Sequence, residues 1–305
     1  MKRVFLLFVE FIVVCFMADR IAGALLFSAY SKSNVMGKYE KCDAEIVVLG
    51  SSRAKHHYVP SIIGDSLDMS CYNLGQDGKN IYYQYASMNL LLQQHKPKVV
   101  VYDCFSVDVL KSPTFAYDWG TLVDFDPYYG RNDSLDALIR NMGIKHTASI
   151  VASHIYRNNT RFLDYFNRRA SIYSGYEPVY GKYTKSLAVH YENEGQKLDL
   201  TKIEYMHRLI NLCRNNGIEI VFAISPRFAL NEEPDAPITR KYIQVKELCE
   251  KTHTPFLYYE LDTLFMNHQG WFKDVGHLND NGAHVFSGIF AHDLKQVLTN
   301  QIAAK

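Results

Sequence analysis

Two short segments of this chain hold residue types that do chemistry together. In Val48-Leu49-Gly50-Ser51-Ser52-Arg53, two serines directly follow an apolar run; in Lys273-Asp274-Val275-Gly276-His277, an aspartate stands three residues before a histidine. A serine hydroxyl is a weak nucleophile until a base takes its proton, and the base needs a carboxylate to fix its tautomer. Ser52, Asp274 and His277 supply those three parts in chain order, with Ser51 the next serine in line. A serine pair after a strand is more often a turn or a helix cap. The Asp-x-x-His spacing on a glycine-containing loop is more specific, because the carboxylate can accept from one imidazole nitrogen while the other faces a hydroxyl. A metal reading wants further ligands at fixed spacing, and the His56-His57 pair alone does not supply them.

These residues need elements to position them. Residues 45–50, 70–75, 98–103, 218–224 and 255–258 are short apolar runs ended by Gly, polar residues or Pro, and read as strands. Helical stretches fall between them at 82–95, 201–213 and 238–251, and a last one covers 281–298. Thr201 and Glu204 fit a capping box at the start of the second, and Gly217 stands where a C-terminal cap would. Alternating strands and helices predict an α/β fold with a mostly parallel sheet covered on both sides. In such sheets ligands bind beyond the carboxyl ends of the strands, where Ser51 and Ser52 fall. Asn73 to Gly78 follow the second strand, and a glycine N–H there can donate to a developing oxyanion. Residues from about 110 to 196 show no clean period. They read as a Tyr-rich insertion, in which Trp119, Tyr128 and Tyr129 are either platforms for sugar rings or ordinary packing.

The composition is that of a globular protein: 48% apolar, 21% charged, and a formal net charge of +1 over 305 residues. Nothing in that balance points to nucleic acid. The six cysteines show no metal-ligand spacing. Cys71, Cys104 and Cys213 read as small buried hydrophobes, and Cys42 could pair with another cysteine. Lys2-Arg3 precede residues 4–18, apolar except for Glu10, and the apolar run resumes at 21–27 after Asp19-Arg20. This is an export signal by composition. Residues 1–30 are therefore expected to form an apolar helix that anchors the chain in a membrane, with residues 31–305 facing outward. Ala22-Gly23-Ala24 also offers a cleavage site, and secretion after cleavage is the alternative.

The same residues resemble a family, the SGNH (GDSL-like) hydrolases. Gly50-Ser51-Ser52 is similar to its first block, with Ser52 at the nucleophile position and Ser51 in place of an Asp. Asn73 to Gly78 are similar to the second block, and Asp274-x-x-His277 to the last. The resemblance runs from about residue 45 to the end, apart from the insertion, and implies a flavodoxin-like three-layer sandwich. It also implies a Ser52–His277–Asp274 triad working without a cofactor, an oxyanion hole from the N–H groups of Ser52 and Gly78, and acyl esters as substrates. Asn73 and Arg53 are candidate substrate-binding residues, Arg53 with a fold carboxylate as its other expected partner. The third block, Gly-x-Asn-Asp, is missing: Tyr102-Asp103-Cys104-Phe105-Ser106 stands there, with Ser106 as a weak substitute donor. That departure, with the apolar N-terminus, resembles a divergent branch that includes D-alanyl-transfer and polysaccharide O-acetylation proteins. The branch implies an acylated glycan or an acyl donor as partner. The rival reading is an inactive, glycan- or partner-binding protein on the same fold.

Overall fold

A computed structural model of the chain describes residues 1–31, 36–112, 114, 118–159, 174–184, 197–228 and 240–303. The short apolar runs form five strands: β1 (Ile46–Gly50), β2 (Cys71–Asn73), β3 (Val99–Asp103), β4 (Glu219–Ile224) and β5 (Phe256–Tyr258). They pair in the order β2-β1-β3-β4-β5, every pair parallel. The fold class is thus α/β, with the strand order of a flavodoxin-like sheet.

All residues of β1 and β3 are buried, so both faces of the sheet are covered, which is why these strands read as continuous rather than alternating apolar runs. On one face Ile46, Val48, Val99, Val101, Val221 and Ala223 join one core with Phe286, Phe290 and Leu294 of the last helix, Asp280–Ala303. Burying each such Phe or Leu stabilises by about 1.5–3 kcal/mol. Helix Leu200–Asn215 packs against β4 with Leu209, Ile210 and Cys213 buried. Its N-cap is Asp199, whose side chain accepts from Thr201 N–H, and not the expected Thr201. A carboxylate two residues upstream captures the free donor first. Gly217 does close the helix, at φ +71°.

The chain divides into two compact units. The sheet unit is Cys42–Met88, His95–Pro113 and Ser171–Lys305; the other is Met1–Lys41, Asn89–Gln94 and Thr114–Ala170. In the second unit the N-terminal helix runs from Lys2 to Ser31. Asp19 and Arg20, which interrupt its apolar run, are docking residues: Asp19 accepts from Ser153 Oγ (2.6 Å), His154 N (2.8 Å) and Ile155 N (3.1 Å), and Arg20 donates to the Ala152 carbonyl. Gly23 meets His154 where a Cβ would stand 2.3 Å from that side chain. Among the described residues no helix is long and apolar enough to cross a membrane.

In the same unit Tyr128 is buried in the turn Gly120–Tyr128 and packs edge-on against Phe27 at 5.5 Å, so it serves packing and is no open platform. Tyr129 accepts from Arg140. Within the expected insertion, residues 113, 115–117, 160–173 and 185–196 lie outside the described residues. Cys15, Cys42, Cys71, Cys104, Cys213 and Cys249 are all free thiols.

Candidate active site

The site is built within the sheet unit, at the carboxyl ends of its strands. Gly50 ends β1 at φ +145°, where a Cβ would stand 2.7 Å from both the Asp103 carbonyl oxygen and the Ala54 Cβ. Only glycine fits this corner. It turns the chain straight from strand into helix Ser52–His57, with Ser51 as N-cap, so Ser52 stands on the helix's first turn. Ser52 Oγ lies 2.8 Å from His277 Nε2.

His277 is carried by a loop pinched at its base, where Phe272 bridges Leu278 and Lys273 N–H donates to the His277 carbonyl. Its Nδ1 donates to Asp274 Oδ1 at 2.9 Å and Oδ2 at 3.1 Å. The ring proton is therefore on Nδ1, and Nε2 offers its lone pair to the Ser52 hydroxyl. Asp274 Oδ1 also accepts from the N–H groups of Gly276 and His277. Burial raises the Asp274 carboxyl, but the bonds from the His277 ring and from these backbone donors outweigh it and hold the group below the usual carboxylate range. The row is open to solvent: the side chains of His277 and Asp274 are 32% and 54% exposed.

Around it, the other expected residues take definite places. Gly78 is exposed at φ +66°, with nothing within 4 Å of where a Cβ would be. Its N–H bonds to none of the described residues. Its neighbour Asp77 is tied down by Lys55 (2.8 Å) and His56 (3.3 Å), and Lys55 also reaches Glu177 at 2.7 Å. Burial raises the Asp77 carboxyl, yet the His56 and Lys55 bonds hold it well below the usual range.

Asn73 belongs to the framework. Both hydrogens of its amide go to the carbonyls of Ala54 and Tyr58, its Oδ1 accepts from Gly75 N–H, and it is 1% exposed. With its hydrogens spent inside the protein it has none to give a substrate. Arg53 likewise points inward: it is fully buried, donates from Nε to Ser225 Oγ at 3.1 Å and covers the Phe105 ring. Its two terminal nitrogens bond to none of the described residues. Arg53 forms no ion pair with a carboxylate among the described residues; it meets the Ser225 hydroxyl, which in turn donates to Asp103. Ser106 opens the single turn Ser106–Asp108 after β3, and its hydroxyl bonds to none of the described residues.

Sequence reasoning did not pick out Ser225, Asp103 or Lys55, and took His57 only as part of a metal-like pair. The signal available was position, since Asp103 and Ser225 directly end or follow β3 and β4. Among the described residues no cluster of three or more potential ligands is placed to hold a metal ion.

No family model matches the chain, and no curated protein does. Solved structures similar to it include a presumed acylhydrolase from Bacteroides fragilis NCTC 9343 (13% identity, 83% of this chain and 87% of that one, TM-score 0.41). A presumed lipolytic protein of the G-D-S-L family from Desulfitobacterium hafniense DCB-2 matches at 9% identity over 81% and 97%, with TM-score 0.39. An acetyl xylan esterase matches at 12% identity over 81% and 98%, also with TM-score 0.39.

Proposed function

We propose that this chain is a serine esterase or O-acyltransferase of the SGNH type, working on acyl esters, acetyl foremost, of a polysaccharide at or beyond the cell surface. The observation that carries the reading is the row Ser52 Oγ–His277 Nε2 (2.8 Å) and His277 Nδ1–Asp274 Oδ1 (2.9 Å). His277 takes the Ser52 proton as the hydroxyl attacks the ester carbonyl, and Asp274 steadies the imidazolium that forms. The N–H groups of Ser52 and Gly78 stabilise the tetrahedral oxyanion. His277 then returns the proton to the leaving alkoxide, and the acyl-enzyme passes its acyl group to water or to a sugar hydroxyl. The outward location rests on the basic and apolar start of the chain alone.

One observation favours a second reading, a binding protein on the same fold. The position of the third-block Asn is taken by the turn at Phe105-Ser106, which removes an oxyanion donor typically worth about 10²–10³ in rate. Steady-state hydrolysis of p-nitrophenyl acetate, with and without an oligosaccharide acceptor, separates the readings. Acetate release makes it an esterase, and acetylated oligosaccharide a transferase. A folded protein that does neither, yet retains acetylated xylan-type oligosaccharide, is the binding protein.

A further inference from the structure

The buried face of the site holds a second imidazole whose proton the geometry fixes. His57 is fully buried, and its Nε2 accepts the backbone N–H of Leu278 at 3.0 Å. A ring nitrogen that accepts carries no proton, so the neutral ring has its proton on Nδ1, and Nδ1 donates to Ser225 Oγ at 2.9 Å. Ser225 Oγ passes the chain on by donating to Asp103 Oδ2 at 3.2 Å, while accepting from Arg53 Nε. Asp103 is held in turn by Tyr58 Oη (2.8 Å) and Ser225 N (2.9 Å). The chain thus starts at the end of β3, crosses the start of the loop after β4, and ends on the main chain one residue past His277.

Resting on the reading of Ser52 and His277 as nucleophile and base, we propose that His57 is a positioning residue. By accepting the Leu278 N–H it fixes the main chain beside His277, so that His277 Nε2 stays on Ser52 Oγ. His57 is not itself a second base: it is sealed from solvent and its lone pair is already used. Its neutral state fits the role, because a protonated Nε2 would oppose the Leu278 donor. Burial first, then the neighbouring Arg53 guanidinium and the His277 and His56 rings, push the His57 pKa well below its ordinary value. The ring stands edge-on to His277, with centroids 6.3 Å apart, so a shift of the loop is felt at once by the base.

The test uses the full chain with His57→Gln and His57→Phe. A glutamine carbonyl can accept the Leu278 N–H while its amide donates to Ser225; phenylalanine fills the space and does neither. On p-nitrophenyl acetate His57→Phe is expected to lose about 10²-fold in kcat with KM unchanged, the cost of a displaced catalytic group. His57→Gln is expected to recover most of that loss, with both variants checked for folding by thermal melts. Histidine ring ¹⁵N resonances and hydrogen exchange of the Leu278 amide supply a readout that needs no turnover. The expected result is an Nδ1–H tautomer for His57, and a Leu278 amide protected in wild type and His57→Gln but fast-exchanging in His57→Phe. A His57 protonated on Nε2, or folded Gln and Phe variants equally slow and equally exchanging, overturns the proposal. Wild type that does not turn over the ester sinks the esterase reading instead, and the resonances and exchange rates still decide the positioning role.

Discussion

Two rows of acid, hydroxyl and imidazole lie side by side at the carboxyl ends of the strands. The outer row is Asp274–His277–Ser52; the inner one is Asp103–Ser225–His57. They use the same residue types with similar spacings, 2.8–3.1 Å in the outer row and 2.9–3.2 Å in the inner. What differs is the order and the access. In the outer row the imidazole sits between acid and hydroxyl, so its free lone pair meets the Ser52 proton at a surface open to solvent. In the inner row the hydroxyl sits between acid and imidazole, and the lone pair meets a backbone N–H in the dry interior. The comparison teaches that residue identity does not make a catalytic group. The partner of Nε2 and its access to substrate do.

The largest effect that tests this contrast comes from the outer row. Ser52→Ala and His277→Ala are each expected to lower kcat for p-nitrophenyl acetate by about 10⁴-fold or more, as for other serine triads. Ser225→Ala in the inner row is expected to spare the nucleophile and cost far less in rate. Asp274→Asn comes next. It keeps the shape but lets the His277 ring take the wrong tautomer, and up to about 10⁴-fold in kcat is expected to go with it. A kcat within threefold of wild type, about 0.65 kcal/mol in barrier, would break the parallel with a triad.

Effects on stability sharpen the inner half. Asn73→Ala leaves the carbonyls of Ala54 and Tyr58 and the N–H of Gly75 without their partner, and urea unfolding is expected to show a loss of about 2–4 kcal/mol. The smallest effect is a pH dependence. His57 has an ordinary value of 6.5 when unfolded and lies well below that when folded. Between the two values the unfolded chain binds the extra proton, so this residue's contribution to stability is lost as pH falls below about 6.5. Thermal unfolding at pH 7 and pH 5 is expected to show wild type losing more than His57→Gln. Parallel losses would remove the buried, neutral histidine from the account.

The sheet was legible because strands buried on both faces read as continuous apolar runs, as residues 46–49 and 99–102 do. The outer row was legible because Asp274 and His277 are close in sequence and Ser52 falls at a strand end. The inner row was not. Its members come from three separate segments, with His57 at the end of the helix after β1, Asp103 at the end of β3 and Ser225 just past β4, and only the strand order β1-β3-β4 brings them together. Arg53 and Asn73 mislead for the same reason: a polar side chain beside a nucleophile looks aimed at substrate until the interior that uses up its hydrogen bonds is visible. The N-terminal Asp19 and Arg20 looked like an interruption in an apolar span, and their meaning depends on Ser153 and His154, more than a hundred residues away in sequence.

The central claim, an activated Ser52, is tested most directly by labelling the full chain with a serine-reactive fluorophosphonate and locating the adduct by peptide mass. The account predicts one adduct, on Ser52, present in wild type and lost in both Ser52→Ala and His277→Ala while Ser225→Ala still labels. An adduct on Ser51 or Ser225, or no adduct on a folded wild-type protein, would contradict it.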